Sequence, residues 1–216
     1  MERKSRIALW SSAIGVVVIV VVGLIWWTGR TPDSPQTNQS IDLASEWVRG
    51  NPTGKVEIIE YSDFQCPACL SFEPYVKDVV EKYGQDVRLV YRHFPLRKQH
   101  PNSDLAARAS EAAGKRGKFW EMHDQLFDNQ PTWSPQFNPK DTFVGYAREI
   151  GLDPDVFEDD LNAEDVRNAV NQDADRGKEL GVNSTPTFYV NGELLQVRKY
   201  EDLENRVKEL LETPAP

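Results

Sequence analysis

Residues 7–27, IALWSSAIGVVVIVVVGLIWW, hold no charged side chain. In a helix they would rise about 30 Å, the thickness of bilayer hydrocarbon, so they are predicted to form one N-terminal transmembrane helix. Residues 28–42 lose that character: TGRTPDSPQTNQS, at 28–40, is rich in Pro, Ser, Thr, Asn and Gln and reads as linker. The pattern then changes repeatedly. KVEIIEYSDF, at 55–64, is short and β-branched, which predicts a buried strand. LSFEPYVKDVVEKYG follows with Phe72, Val76, Val79, Val80 and Tyr83 at helical spacing ahead of Gly84, so a helix should open at Cys66 and stop there. DVRLVYRHF, at 86–94, is a second strand; strand, helix and strand at this length make a βαβ unit with parallel strands. Residues 102–161 are helical in pieces: LAARASEAAG, FWEMHDQLF, FVGYAREIG and PDVFEDDL. Among them NQPTWSPQFNPK, with three prolines, is expected to be a surface loop. Asn162 is expected to cap a helix over AEDVRNAVNQDADRGKEL that stops at Gly181. TPTFYV and ELLQV flank Asn191-Gly192, the favoured two-residue hairpin turn. An amphipathic helix at 200–212 should close the domain, leaving 213–216 as a tail.

Residues 43–212 are thus one domain of ordinary size. Charge adds orientation. Residues 1–30 carry net +3, leaving −12 on the other 186 residues of a chain whose total is −9. An acidic domain has no basic stripe for phosphates, which argues against nucleic acid as a partner. Arg3, Lys4 and Arg6 precede the apolar run and Trp26 and Trp27 end it, so residues 1–6 should be cytoplasmic and the domain extracytoplasmic. The membrane contact is the N-terminal helix. WWTGR offers no small-residue cleavage site, which favours an anchor over a cleaved signal.

The chain has two cysteines, both in CPAC at 66–69. Three readings compete. A disulfide across so short a loop restrains the unfolded chain little. Zinc needs four ligands; no second CxxC exists, and His93 and His100 lack finger spacing, so no metal is expected. A redox pair needs only the two sulfurs, and an exported domain suits it.

CPAC after the first strand, SDFQ feeding it, STPTF at 184–188 opening the hairpin and FWEMHDQLF at 119–127 together resemble the DsbA-like thiol-disulfide oxidoreductases of the thioredoxin superfamily, membrane-tethered type. The resemblance covers about residues 43–212 and implies an α/β thioredoxin fold with a helical insertion at about 102–161. At a helix N-terminus Cys66 would be the nucleophile, its thiolate favoured by unpaired N–H groups. Cys69, nearly a turn later, would be the better-shielded resolving thiol. Pro67 suits the first turn. The resemblance implies a cis Thr185-Pro186 bond facing the cysteines and main-chain groups there that bind polypeptide; an ordinary trans turn is the alternative. It also places an acid, Glu60, beneath Cys69 as candidate proton acceptor, against the plain reading of a solvent-facing strand residue. Ala68 departs from the pattern, because the strongest oxidants carry His there. His93 and His123 read as structural or surface residues, Phe119, Trp120, Met122 and Phe127 as core. Trp133 and Phe137 are weak candidates for a substrate rim.

The expected function is donation of disulfides to exported polypeptides with cysteine pairs. No dissociable cofactor is implied, and the resemblance suggests an integral-membrane, quinone-linked reoxidase as partner. Reductase or isomerase activity, or a chaperone-like polypeptide-binding module, are the alternatives.

Overall fold

The computed structural model describes residues 46–213. The predicted membrane helix at 7–27 and the linker at 28–42 lie outside them. Among the described residues no helix is long and apolar enough to cross a membrane.

The first element is one the periodicity did not announce. β1 (Trp47–Gly50) is four residues long and runs antiparallel to β3 (Val87–His93), with Trp47 opposite Tyr91. Four residues are too few to show alternation. β1 is held by its side chain: Trp47 stacks on Phe119 at 4.3 Å and donates from Nε1 to Glu111. The expected βαβ unit follows. β2 (Val56–Ser62) and β3 are parallel, Val56 opposite Val87 and Ser62 opposite His93, joined through α1 (Pro67–Tyr83). Successive residues of β2 are buried because both faces of a central strand are covered.

The chain then leaves the sheet for α2 (Ser103–Gly114), α3 (Phe119–Asp128), α4 (Gln130–Trp133), α5 (Lys140–Glu149), α6 (Pro154–Asn162) and α7 (Glu164–Glu179). It returns as the hairpin β4 (Thr187–Val190) and β5 (Glu193–Leu195) and ends in α8 (Glu201–Glu212). The sheet order is β1-β3-β2-β4-β5, and β4 pairs antiparallel to β2. Asn191 and Gly192 take φ of 47° and 80°, the positive values a type I′ turn requires. Ile58, Leu89 and Phe188 face α1 and α8, while Ile59, Tyr61, Val90 and Tyr189 pack with Ala174 of α7 on the other side. The inserted helices build a third core around Phe64, Cys69, Tyr91, Phe119, Met122 and Trp133. This is a mixed-sheet thioredoxin fold with a helical insertion.

Two expectations need correction. Residues 129–140 are not simply a surface loop: Gln130–Trp133 is a helical turn, and Trp133 is fully buried with its Nε1 bonded to the Leu126 carbonyl. Trp133 therefore cannot line a substrate rim, whereas Phe137 is fully exposed. Nor does Asn162 cap α7. It belongs to the last turn of α6 and donates to the Glu158 carbonyl, and Ala163 holds the N-cap position. The acidic first turn of α7, Glu164 and Asp165, suits the positive end of the helix without that cap.

Candidate active site

Cys66 occupies the N-cap of α1, with extended backbone angles, and Pro67 is the first helical residue. The turn is braced from beneath. The Asp63 carbonyl accepts from Cys66 N, and its carboxylate accepts from Gln65 N, Leu96 N and His100 Nδ1. The inserted helices reach it from the side. Gln130 Nε2 donates to the carbonyls of Phe64 and Cys66, at 2.7 and 3.1 Å. Gln65 accepts from Asn102 N and donates to the Ser134 carbonyl. Asp63 and Gln65 lie in the SDFQ segment already singled out, but their bracing role was not anticipated, and neither were His100, Asn102 or Gln130. Gln130 was hidden because the prolines around it read as loop.

Pro67 and Ala68 are exposed, but both sulfurs are buried, Cys66 at 7% and Cys69 at 1% exposure. The thiols are free. The Thr185-Pro186 bond is cis, and the Thr185 carbonyl lies 3.4 Å from Cys66 Sγ, as acceptor for the thiol. The structure thus brings Cys66, Pro67, Ala68, Cys69, Thr185 and Pro186 to one place. A groove of about 360 Å³ continues from Pro186 past Asn183, Ser184, Thr187 and Val197. A larger cleft, about 580 Å³, lies between α1 and α8 beside Tyr75 and Tyr200. Neither cavity is lined by a cysteine, but the smaller one includes Pro186, next to the Thr185 carbonyl that contacts Cys66 Sγ, so it is the one continuous with the thiol pair.

The two thiols are electrically unlike. Cys66 is lowered to about 5. The largest cause is the Cys69 thiol, which donates to its sulfur; burial opposes this, and Thr185 and the main-chain N–H groups of Cys69 and Ala68 add to it. The helix end therefore assists, while the neighbouring thiol leads. The Thr185 hydroxyl is buried without a well-formed hydrogen bond, which leaves it free to turn toward the thiolate. Cys69 is pushed well up by burial, by donating to Cys66 and by the nearby charges of Cys66 and Glu60.

Glu60 is buried, 1% exposed, on β2 between Tyr91 and Phe188 of the flanking strands. Burial raises its pKa to about 7, and the Ser62 hydroxyl opposes the rise. That hydroxyl does not reach good geometry: Ser62 Oγ and Glu60 Oε2 are both buried without a partner. Such a carboxyl can exchange a proton near neutral pH. His93 and His123 are buried structural residues, at 0% and 1% exposure. Phe119, Met122 and Phe127 are core, and Trp120 is half-buried over Arg49.

Comparison with known proteins agrees with this arrangement. Residues 43–209 match the thioredoxin family. Among solved structures, a thioredoxin-like oxidoreductase from Silicibacter pomeroyi DSS-3 is 30% identical, covers 85% of this chain and 99% of its own, and superposes with a TM-score of 0.67. BdbD from Bacillus subtilis, in its oxidised form, shares the fold at 24% identity and a TM-score of 0.71, covering 84% of this chain and 100% of its own. The α-DsbA2 thiol-disulfide exchange protein from Wolbachia pipientis shares it at 21% and 0.66, covering 78% and 88%. Among curated proteins, the Na(+)/H(+) antiporter NhaA 1 of Mycobacterium sp. (strain KMS) is 39% identical over 171 residues, 77% of this chain and 27% of that protein. The NhaA 1 of Salinispora arenicola (strain CNS-205) is 41% identical over 154 residues, 70% and 22%. The chain spans about a quarter of the length of these curated relatives. A free thiol pair on the strand-to-helix turn, the cis bond opposite it and the match over residues 43–209 agree: the chain belongs to the thioredoxin family.

Proposed function

We propose that this protein is a membrane-anchored, extracytoplasmic oxidoreductase that introduces disulfides into exported polypeptides through Cys66 and Cys69. The observation that carries the reading is the unlikeness of the two sulfurs: the Cys66 thiol is acidic and next to exposed Pro67 and Ala68, whereas the more deeply buried Cys69 thiol is held well above its ordinary range. A substrate thiolate attacks Cys66 Sγ of the oxidised pair, the Cys66–Cys69 bond breaks, and Cys69 leaves with a proton from Glu60. A second substrate thiolate then attacks the substrate sulfur of the mixed disulfide. Cys66 leaves as the better thiolate, and the substrate holds the new disulfide. Main-chain groups at Thr185 and Pro186 hold the substrate strand. Return to the disulfide form needs an electron acceptor, for which a quinone-linked membrane protein is the proposed partner. The apolar run at 7–27 and the basic residues before it support the anchor and the orientation.

Cys69→Ser tests the assignment through the reverse exchange, in which Cys66 attacks a substrate disulfide, one substrate sulfur leaves as thiolate, and Cys69 would normally displace the other; without Cys69 the mixed disulfide persists. Thiol trapping and mass spectrometry should find exported proteins joined to Cys66 in that variant and none in Cys66→Ser. Equal adducts through both sulfurs would reverse or remove these roles. Polypeptide binding that persists undiminished without both cysteines, with no adducts in Cys69→Ser, would favour the chaperone-like reading.

A further inference from the structure

We propose that the cleft between α1 and α8 is a docking surface for an arginine- or lysine-bearing segment of the polypeptide whose cysteine reacts at Cys66. The cleft thus deepens the oxidoreductase reading, on which it rests, by naming a substrate class: chains with positive charge a few residues from the reacting thiol.

The surface grows out of the core. Phe188 of β4 is buried and packs on Phe72 of α1 with ring centres 5.8 Å apart, and Phe72 packs in turn on Tyr200 at 4.7 Å. Tyr200, at the N-cap of α8, then stacks on Tyr75 of α1, with ring centres 4.3 Å apart and planes 2° from parallel. At this outer end Tyr75 is 40% exposed and Tyr200 37%. Tyrosine rings fixed from behind lose little freedom when a partner covers them, which makes them good anchors. Beside them lies the open cleft of about 580 Å³.

Charge selects the occupant. Asp78 and Glu81 line the cleft from α1 and Glu201 and Glu204 from α8, against one ammonium, Lys82. Glu204 is already satisfied, by Lys82 at 2.7 Å, Lys208 at 3.1 Å and the Tyr83 hydroxyl at 3.0 Å. Nearby Asp202 accepts from the main-chain N–H groups of Arg198 and Lys199. Asp78, Glu81 and Glu201 are exposed and pair with no cation among the described residues. An arginine entering the cleft would meet these carboxylates and the tyrosine rings together, a setting that suits a guanidinium through ion pairs and cation–π contact. A second copy of the chain fits poorly, because each domain carries a strong negative charge and two of them repel. Tyr75 lies about 13 Å along α1 from Cys66, the reach of about four extended residues. A chain whose cation stands about that far from its cysteine can fill the cleft and present its thiol to Cys66 at once.

The test uses the full chain, oxidised glutathione as terminal oxidant, and synthetic dithiol peptides of one sequence with either arginine or glutamine about five residues from the cysteines. KM for the arginine peptide should lie about tenfold below that for the glutamine peptide, with kcat alike, and the difference should shrink as salt rises above about 0.15 M. Asp78→Asn combined with Glu201→Gln should bring the arginine peptide's KM up to that of the glutamine peptide, and Tyr75→Ser should move it the same way. The same peptides with serine for cysteine separate docking from chemistry: titration calorimetry should show the unmodified protein binding the arginine form about tenfold more tightly, and the double variant binding both alike. Equal KM and equal affinity for the two peptides, in a protein that oxidises both, overturn the docking surface alone. Dimerisation abolished by the double variant, with no preference for arginine, assigns the cleft to a second copy and overturns it too. A protein that binds the arginine form preferentially yet oxidises neither dithiol overturns the oxidoreductase reading and leaves only the binding surface.

Discussion

At Ala68 the smallest change in the site has the largest leverage on direction. The side chain is exposed, next to the Cys66 sulfur, and its own N–H favours the thiolate. Ala68→His would place a cation or donor beside the anion and lower Cys66 further. Only the reduced enzyme contains that thiolate, so its stabilisation favours reduction. One pKa unit, about 1.4 kcal/mol, raises the potential by at most about 30 mV for this two-electron couple. Equilibration against a glutathione buffer, with the thiolate followed by ultraviolet absorbance, should show the pKa falling and the potential rising together. A fixed potential with a lower pKa would mean that the disulfide form is stabilised as well. Glu60 shows the opposite electrostatics. Its pKa near 7 comes from burial rather than a partner, so ionising it costs folding stability as pH rises from 4.5 toward 7. A sheet that tolerates such a group inside one face is retaining it for something other than stability.

Among elements, β1 depends on an absence. A Cβ on Gly114, at the end of α2, would stand 2.3 Å from the Trp47 ring, which is already pressed on Phe119. Gly114→Ala should therefore force Trp47 outward and cost about 1–3 kcal/mol, read as a lower denaturant midpoint with a changed near-ultraviolet tryptophan signal. Where elements carried their own pattern they were legible in the sequence. β2, α1 and β3 were, because Ile58, Val76, Val79 and Leu89 repeat at strand or helix spacing, and so was the hairpin, because Asn191-Gly192 has turn chemistry of its own. β1 was not, since it is defined by what it pairs with. The short helix at Gln130 was masked by prolines that suit a first turn as well as a loop. At the site, Cys66, Cys69 and Pro186 lie in motifs, and Asp63 and Gln65 lie in SDFQ beside them, whereas His100, Asn102 and Gln130 reach the turn from distant parts of the chain and leave no local trace.

For the whole molecule, stability should depend on redox state and pH together. Cys66 is held near 5 when folded and titrates near 9 when unperturbed. Through that window the unfolded reduced chain binds the extra proton, so the reduced fold gains stability as pH rises, by at most about 1.4 kcal/mol per pH unit. It loses that gain as pH falls through about 5. The disulfide form has no such group. Paired denaturant titrations of the two forms from pH 5 to 9 should therefore show the reduced form pulling ahead with rising pH; parallel curves would remove the acidic thiol from the account. The contact between Cys66 and Thr185 spans 119 residues, and β2 finds β4 only across the whole helical insertion. During synthesis at about 5–20 residues per second, the two sulfurs emerge roughly 6–24 s before the loop that faces them. Thr185, which adds to the lowering that Cys69 leads, is thus the last part of the Cys66 environment to be made.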